Sequence, residues 1–234
     1  MPTPTPNTRI IAFSDTHGMH KKLSMPEESK DLDTTDVLVF AGDMCSFGNE
    51  EDVLYFANWM RKLPYSHKII IAGNHDTPFE SKGRHIQVNL FRGWSHYLEN
   101  SSCVVNGLKF YGSPVTPSLG NWAFNVDKDS EEMQDKWESI PADTDVLVTH
   151  GPPYGVLDLN SAGTRCGCSI LRSRVKKVNP KVHIFGHIHE NHSYYSKRTT
   201  PEGPGRTLFF NVAICDNRYV PREKPQVIWL RDKE

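Results

Sequence analysis

The sequence predicts an α/β protein in which two β-sheets pack face to face and helices cover their outer faces. Three observations lead to this fold class. Short β-branched runs recur and each ends in a cluster of polar residues, segments with helical periodicity lie between them, and later stretches fit hairpin strands. Because the first runs are almost continuously apolar, they indicate strands that are buried on both faces.

Five apolar runs predict the main strands, and each leads directly into polar residues. In chain order they are RIIAF (9–13), DVLVFA (36–41), KIIIA (68–72), DVLVT (145–149) and VHIF (182–185). CVVNGLKFYGS (103–113) and RTLFFNV (206–212) predict hairpin-like antiparallel strands, and QVIWL (226–230) predicts a last strand. The Gly, Pro and charged residues of SKRTTPEGPGR (196–206) predict a hairpin loop, because they cannot build core.

Three further segments have the spacing of helices. Their predicted limits are 51–63, 129–140, and Cys168 to about Val178. The second begins with Asp129 and Glu132 at the spacing of a capping box. The third ends before Pro180, since a helix usually stops ahead of a proline.

Composition limits the classes of function. The chain has 234 residues with 37% hydrophobic and 24% charged residues, which is typical of a globular protein with one substantial core. We expect residues 1–8, rich in Pro and Thr, to be a disordered lead-in and residues 9–234 to form a single domain. A formal net charge of −1 argues against an extended basic surface for nucleic acid, and no apolar run is long enough to cross a bilayer.

The cysteines indicate an intracellular, cytoplasmic protein with reduced thiols. They are odd in number and have no C-x-x-C spacing, which also argues against a thiolate zinc site: Cys45, Cys103, Cys166, Cys168 and Cys215. The amino terminus has no apolar segment that could act as a signal peptide.

The polar clusters predict one functional site. Ligands of open α/β sheets bind where the carboxyl ends of strands meet their loops, so clusters that follow different strands can converge. FGHIHE (185–190) adds two histidines whose side chains point to the same side of an extended chain. The candidate residues are Asp15, His17, Asp43, Asn74, His75, His150, His187 and His189.

Except for His75, these residues are oxygen or imidazole donors suited to divalent transition metals. Seven ligands exceed the needs of one ion. They suit two ions roughly 3.5 to 4 Å apart with a shared carboxylate, the arrangement of two-metal phosphoryl-transfer sites. Any one of the Asp or Asn residues alone would be explained more simply as a helix cap or turn residue, but five ordered clusters are not.

The ordered set D-x-H, G-D, G-N-H-D, H-G-P and G-H-x-H resembles the calcineurin-like metallophosphoesterase superfamily, over about residues 9–230. YGSP, NWAFN, DKW, LVTHGPPYGVLD, RCGC and FGHIHE look like the metallophosphoesterase-domain-containing proteins, a branch related to class III cyclic-nucleotide phosphodiesterases. This resemblance implies a four-layer α-β-β-α sandwich of two mixed sheets with a dinuclear metal centre.

The resemblance also implies roles for the candidate residues. Asp15, His17 and His189 would hold the first metal; Asn74, His150 and His187 would hold the second; and Asp43 would bridge them. Some family members have Gly in place of the first His of the last motif, so the presence of His187 favours an intact second site. Mn²⁺ is the favoured metal, with Fe, Zn, Co or Mg as alternatives.

The predicted reaction is hydrolysis of a phosphate ester by a metal-activated hydroxide. In the superfamily the position of His75 protonates the leaving oxygen or contacts the phosphate, for which a pKa near neutrality is suited. The expected substrate contacts are Asn74, His75 and Tyr154. Trp122, Phe124 and Tyr154 lie in loops where they could stack on a nucleobase, although loop aromatics more often pack under the loop.

The sequence favours one class of substrate but leaves two other functions open. GDMCSFG has no Arg after Asp43, unlike Ser/Thr protein phosphatases, so a small phosphodiester is favoured, with a cyclic nucleotide as one candidate. One alternative is a scaffold that keeps its metals and binds a partner with little turnover. Another is a nuclease, which the net charge disfavours because the basic run RSRVKK (172–177) reads as a solvated helix face.

Overall fold

Two mixed β-sheets form the centre of the structure. The computed structural model describes residues 7–196 and 207–230. The strands are β1 Asn7–Phe13, β2 Thr34–Ala41, β3 His67–Ile71, β4 His96–Tyr97, β5 Ser101–Val105, β6 Leu108–Ser113, β7 Thr116–Pro117, β8 Asn125–Val126, β9 Val146–Thr149, β10 Val182–Phe185, β11 Ser193–Ser196, β12 Leu208–Asn211 and β13 Gln226–Leu230. The helices are α1 Glu50–Lys62, α2 Thr77–Ile86, α3 Glu131–Glu138 and α4 Ser169–Val178.

The first sheet has the strand order β13-β1-β2-β3-β4, with β13 antiparallel and the other strands parallel. The second has the order β11-β12-β10-β9-β6-β5, in which the four inner strands are parallel and both edge strands are antiparallel. A small parallel pair, β7 and β8, lies apart from both. The parallel order brings the carboxyl ends of β1, β2 and β3 to one edge.

Three apolar cores separate four layers. The central core lies between the sheets and contains residues from both, such as Ile10, Val39 and Val148. A second core packs the outer face of the first sheet against α1 and α2, and a third packs the outer face of the second sheet against α3 and α4. This α-β-β-α arrangement confirms the predicted fold class.

The strand pattern of the sequence is largely confirmed. All five apolar runs lie in strands, and CVVNGLKFYGS forms the β5–β6 hairpin around Asn106 and Gly107, both with positive φ. The prediction of an antiparallel hairpin strand for RTLFFNV is only partly right, because β12 pairs antiparallel with β11 but parallel with β10. The pattern did not predict the helix α2, which has a non-helical residue, Lys82, in its interior.

The structure shows which residues cap the N-termini of α3 and α4. The expected capping box of Asp129 and Glu132 is wrong, because Ser130 is the N-cap of α3 and accepts a hydrogen bond from the Met133 N–H. Helix α4 begins at Ser169 with Cys168 as its N-cap, one residue after the predicted start. The Cys168 thiol accepts the Leu171 N–H and lies 3.3 Å from the indole nitrogen of Trp137, so its role is in packing and capping.

The predicted boundary between the lead-in and the domain needs correction. Strand β1 begins at Asn7, so residues 7 and 8 belong to the sheet and not to the lead-in. Residues 1–6 and most of the predicted loop, residues 197–206, lie outside the described residues.

The basic run 172–177 is not wholly solvated. Arg172 lies over the Phe209 ring at 5.3 Å, and Arg174 donates to the Ile140 carbonyl. Among the described helices, none has the length and apolar character needed to span a bilayer.

His20 is a buried histidine that lies between aromatic side chains. Its ring packs against Phe56 and Trp59, with centroid distances of 5.5 and 5.1 Å. Within the described residues neither ring nitrogen has a hydrogen-bond partner. Burial, and to a smaller degree the charge of Lys21, lower the pKa of His20 to about 4.

We expect His20→Phe to raise the free energy of unfolding at neutral pH by about 1 kcal/mol, because an unsatisfied buried polar group is removed. The wild-type protein should lose stability as pH falls from about 6.5 towards 4, since the unfolded chain binds a proton that the folded chain excludes. The variant should show a shallower loss. Urea unfolding between pH 4.5 and 7.5 measures both effects, with the exposed His96→Phe as control, and an unchanged pH slope would contradict the prediction.

Candidate metal centre

The polar clusters meet at the edge where the strands of both sheets end. Asp15 and His17 follow β1, Asp43 follows β2, and Asn74 and His75 follow β3 in the first sheet. From the second sheet, His150 follows β9 and the histidines His187 and His189 follow β10. All of these side chains are buried or half-buried. The structure therefore brings together residues from positions 15 to 189 of the chain.

The first group of side chains is Asp15, His17 and His189. Their candidate ligand atoms all lie within 4.8 Å of one another. The Nε2 atom of His189 is 3.3 Å from Asp15 Oδ1 and 3.2 Å from the Nε2 atom of His17. This group is the set that the family resemblance would assign to a first metal.

Asp43 lies at the centre of the site. Its Oδ2 atom is 3.3 Å from the Nε2 atom of His150 and 3.8 Å from the Nε2 atom of His17, so it faces histidines of both assigned sets. Asp43 also falls in two groups of possible ligands, one with His17 and His75 and one with Asp15 and His150. A bridging carboxylate would need this central position.

The second set is less complete in its contacts. His150 Nε2 lies 2.9 Å from Asn74 Oδ1, and the His150 and His187 rings are 5.1 Å apart. The His187 backbone N–H donates to both oxygens of Asp15, at 3.1 and 3.0 Å. His187 thus joins the site through its backbone as well as its ring.

The donor chemistry of these residues fits bound cations. The Nδ1 atoms of His17, His150 and His189 lie 2.8 to 3.1 Å from the carbonyls of Cys45, Ala41 and Asp216, respectively. A carbonyl only accepts, so each Nδ1 carries a hydrogen and each Nε2 of a neutral ring presents its lone pair to the site. Without a cation, His189 Nε2 donates to Asp15 Oδ1 and lies 3.2 Å from His17 Nε2; a bound cation would take the place of that proton.

The model of the calcineurin-like phosphoesterase family matches residues 8–191 of the chain. The chain belongs to this family. It is 32% identical over 252 residues to human metallophosphoesterase domain-containing protein 1, covering 98% of this chain and 73% of that protein. It is 31% identical over 241 residues to the UPF0046 protein K07C11.7 of Caenorhabditis elegans, covering 98% of this chain and 77% of that protein.

The solved structures support the same fold. The protein TT1561 of Thermus thermophilus superposes with a TM-score of 0.58 at 12% sequence identity, covering 98% of this chain and 99% of that one. At this identity the likeness concerns the fold alone. Together with the family match, these comparisons confirm the resemblance that the five motifs predicted. Family membership indicates a phosphoester hydrolase with metal-binding residues.

The electrostatics keep the carboxylates of this phosphoesterase site ionised. Burial alone would raise the pKa of Asp15, but the His189 hydrogen bond and the charge of His150 hold it at about 2. Burial opposes ionisation of Asp43 as well, and the histidines around it still lower its pKa. Burial lowers the pKa of His17 and of His187 to about 4, so both rings are neutral near pH 7 and available as ligands.

Asp76 is a buried residue of the G-N-H-D motif to which the sequence gave no role. It accepts the backbone N–H groups of Gly73, Asp43 and Cys45 at 2.8 to 3.0 Å, and so joins the loops after β2 and β3. Burial, followed by the charge of Asp43, raises the pKa of Asp76 to about 6. The four-residue motif carried a signal for this residue, but not for its role in supporting the neighbouring loop.

The backbone of the site is unusually constrained. Asp15, His17, Asp43 and His187 all have φ between 42° and 68°, in the left-handed region that non-glycine residues rarely adopt. Each such residue costs of order 1 to 3 kcal/mol, which the surrounding contacts must offset. With this backbone, residues that follow different strands direct their side chains to a common centre.

The remaining residues named by the sequence fall in different places. Tyr154 is exposed, and the Arg165 guanidinium lies 5.8 Å from its ring centre. His192, which belongs to no motif, donates through Nδ1 to the Ala213 carbonyl. Trp122 stacks on His75. Tyr219, whose ring lies beside His17, had no signal in the sequence because it follows the last motif by thirty residues.

We expect Gly186→Ala to lower the free energy of unfolding by about 2 kcal/mol, because the new Cβ atom would overlap Asp15 Oδ2 and Ser14 Oγ. Gly151→Ala is the matched control, since its Cβ atom would meet only the Thr116 side chain, at 3.3 Å, and should cost less than half as much. Urea unfolding of both metal-free variants measures the difference. Equal effects would show that the close approach at Gly186 does not limit stability.

Proposed function

We propose that the protein is a dinuclear-metal-dependent phosphodiesterase. The observation that carries this proposal is the position of Asp43, whose Oδ2 atom lies within 4.0 Å of the Nε2 atoms of His17, His75 and His150. A carboxylate shared between two sets of ligands, beside a histidine that is not an assigned ligand, is what two-metal hydrolysis of a phosphate ester requires.

Asp15, His17 and His189 would hold one ion, and Asn74, His150 and His187 would hold the other, with Asp43 shared. Mn²⁺ is the metal proposed here, and the imidazole and carboxylate donors also admit Fe, Zn, Co or Mg. When bound, two such cations would act as Lewis acids that neutralise negative charge on the phosphoryl oxygens and lower the pKa of water towards neutrality. The carbonyl partners of the three Nδ1 atoms orient the imidazoles so that their Nε2 atoms face inward.

His75 is the candidate for proton transfer to the leaving oxygen. Its Nδ1 atom donates to the Ser46 carbonyl at 2.7 Å, which leaves Nε2 directed at the centre of the site, 4.0 Å from Asp43 Oδ2. The His75 backbone N–H donates to Asp43 Oδ1 at 2.9 Å, so the histidine is held beside the carboxylate. A proton on Nε2 can pass to the ester oxygen as the bond to phosphorus breaks.

The reaction is tested by hydrolysis of bis-p-nitrophenyl phosphate against p-nitrophenyl phosphate. Metal-stripped protein reconstituted with Mn²⁺ should bind about two ions per chain and prefer the diester. Asp43→Ala and His187→Ala should each lower kcat/KM by at least about 100-fold and lower the bound metal measured by elemental analysis. His67→Gln, at the opposite end of β3 from His75, is the control.

Three outcomes of this experiment would each overturn part of the proposal. A preference for the monoester would overturn the assignment as a phosphodiesterase and leave a phosphomonoesterase. Two bound ions without turnover of either ester would overturn the enzyme and favour the metal-retaining scaffold. Activity that survives Asp43→Ala would contradict the central role of that carboxylate.

We expect His75→Asn to affect substrates according to their leaving groups. If His75 protonates the leaving oxygen, kcat/KM should fall about 10²- to 10³-fold for a phenyl ester and much less for a p-nitrophenyl ester, whose anion leaves without a proton. Metal content should stay at the wild-type value, because His75 is not an assigned ligand. An equal loss for both esters would instead assign His75 to phosphate binding.

A further inference from the structure

Tyr219 lies over the metal centre although no motif includes it. The centre of its ring is 4.5 Å from that of His17, 5.9 Å from that of His189 and 6.1 Å from that of His75. Two of these histidines belong to the proposed first metal site, and the third is the proposed proton donor. The tyrosine is 36% exposed, whereas these histidines are buried or nearly so, and its ring is therefore on the solvent side of the site.

The turn that carries Tyr219 is joined to a metal ligand. The Asp216 carbonyl accepts both the Tyr219 N–H, at 2.9 Å, and a hydrogen bond from His189 Nδ1, at 3.1 Å. The Asp216 carboxylate accepts the N–H groups of Arg218 and Val220, which closes the turn on both sides of the tyrosine. The position of the ring is thereby coupled to that of the His189 imidazole.

The backbone of Tyr219 is held in a costly conformation. Its φ of 57° lies in the left-handed region, which is unusual for an aromatic residue. A conformation of this kind costs of order 1 to 3 kcal/mol, and such residues cluster at functional sites. Tyr219 is not a member of the three apolar cores of the described chain, so core packing does not account for the cost.

Trp122 forms a second aromatic surface beside His75. The rings of Trp122 and His75 are stacked, with centroids 4.0 Å apart and an interplanar angle of 27°. Trp122 is half-buried and, like Tyr219, does not belong to the apolar cores of the described residues. Its loop is joined to the site because the Ala123 N–H donates to the Asn74 carbonyl at 3.1 Å.

We propose that Trp122 and Tyr219 form the walls of a subsite that receives a planar aromatic group of the phosphoester, such as an aryl or nucleoside leaving group. This inference rests on the proposed phosphoesterase function. A leaving group that takes a proton from His75 Nε2 must lie beside the His75 ring, and these are the two large aromatic side chains in ring contact with it among the described residues. Aromatic walls favour a planar, polarisable group by stacking or edge contacts.

Direct binding of two unreactive ligands tests the subsite. Phenylphosphonate and methylphosphonate carry the same phosphoryl head on a C–P bond that the enzyme does not hydrolyse, and they differ in the aromatic ring. Isothermal titration calorimetry on the Mn²⁺-loaded protein gives the ratio of their dissociation constants. We expect phenylphosphonate to bind about tenfold more tightly to the wild-type protein.

Three variants identify the walls. Trp122→Leu and Tyr219→Leu should each reduce the ratio to about three or less, and Tyr219→Phe should preserve it because the ring remains. Damage to the phosphoryl site weakens both ligands equally and cancels in the ratio, so a change in the ratio reports the aromatic subsite alone. Tyr55→Leu, an exposed tyrosine on α1 that donates to Glu51, is the control for loss of a surface ring.

The outcomes separate this inference from the proposed function. Equal dissociation constants in the wild-type protein, or a ratio unchanged in both Leu variants, would overturn the subsite while leaving diester hydrolysis untouched. Failure to hydrolyse any ester would overturn the phosphodiesterase, yet a ratio lost in the Leu variants would still support the aromatic walls. Binding of neither phosphonate would overturn the subsite, and the diester assay would still decide the phosphodiesterase. Circular dichroism establishes that each variant is folded before titration.

Discussion

The structure depends on the burial of two carboxylates, Asp15 and Asp43, at the edge where the two sheets meet. Two anions taken out of water are unstable unless nearby groups compensate them. The compensation comes from His150 and His189, which face the carboxylate oxygens, and from backbone N–H groups, which donate to both residues. Bound cations would complete it. Both sheets contribute to this balance, so the site forms only when the sandwich is assembled.

The loops around the carboxylates carry the cost of this arrangement. Four of the assigned ligands have left-handed backbone, and Gly73 and Gly186 follow their strands where a Cβ atom would overlap Asp43 or Asp15. Asp76 offsets part of the cost by accepting four backbone N–H groups from the neighbouring loops. The three apolar cores supply the rigid frame on which these strained loops are held.

Much of the fold and of the site was predictable because both leave local signals. Apolar runs that end in D-x-H or G-N-H-D carry their strand and their ligand in the same few residues. Features that depend on neighbours in space could not be predicted from the sequence. Asp129 has the spacing of a cap, but Ser130 takes that place, and His20 is polar in sequence yet lies among Phe56 and Trp59 because the helix α1 covers it.

By itself the sequence determined the family, the strands of the site and the residues that converge there, because metal ligands must occur as particular side chains at particular strand ends. Only the tertiary structure decided how they are supported and what surrounds them. Tyr219 and Trp122 meet His75 from distant loops, and an aromatic residue in a loop carries no pattern that states which surface it will contact. The charge state of each buried ligand likewise follows from its neighbours in space and not in sequence.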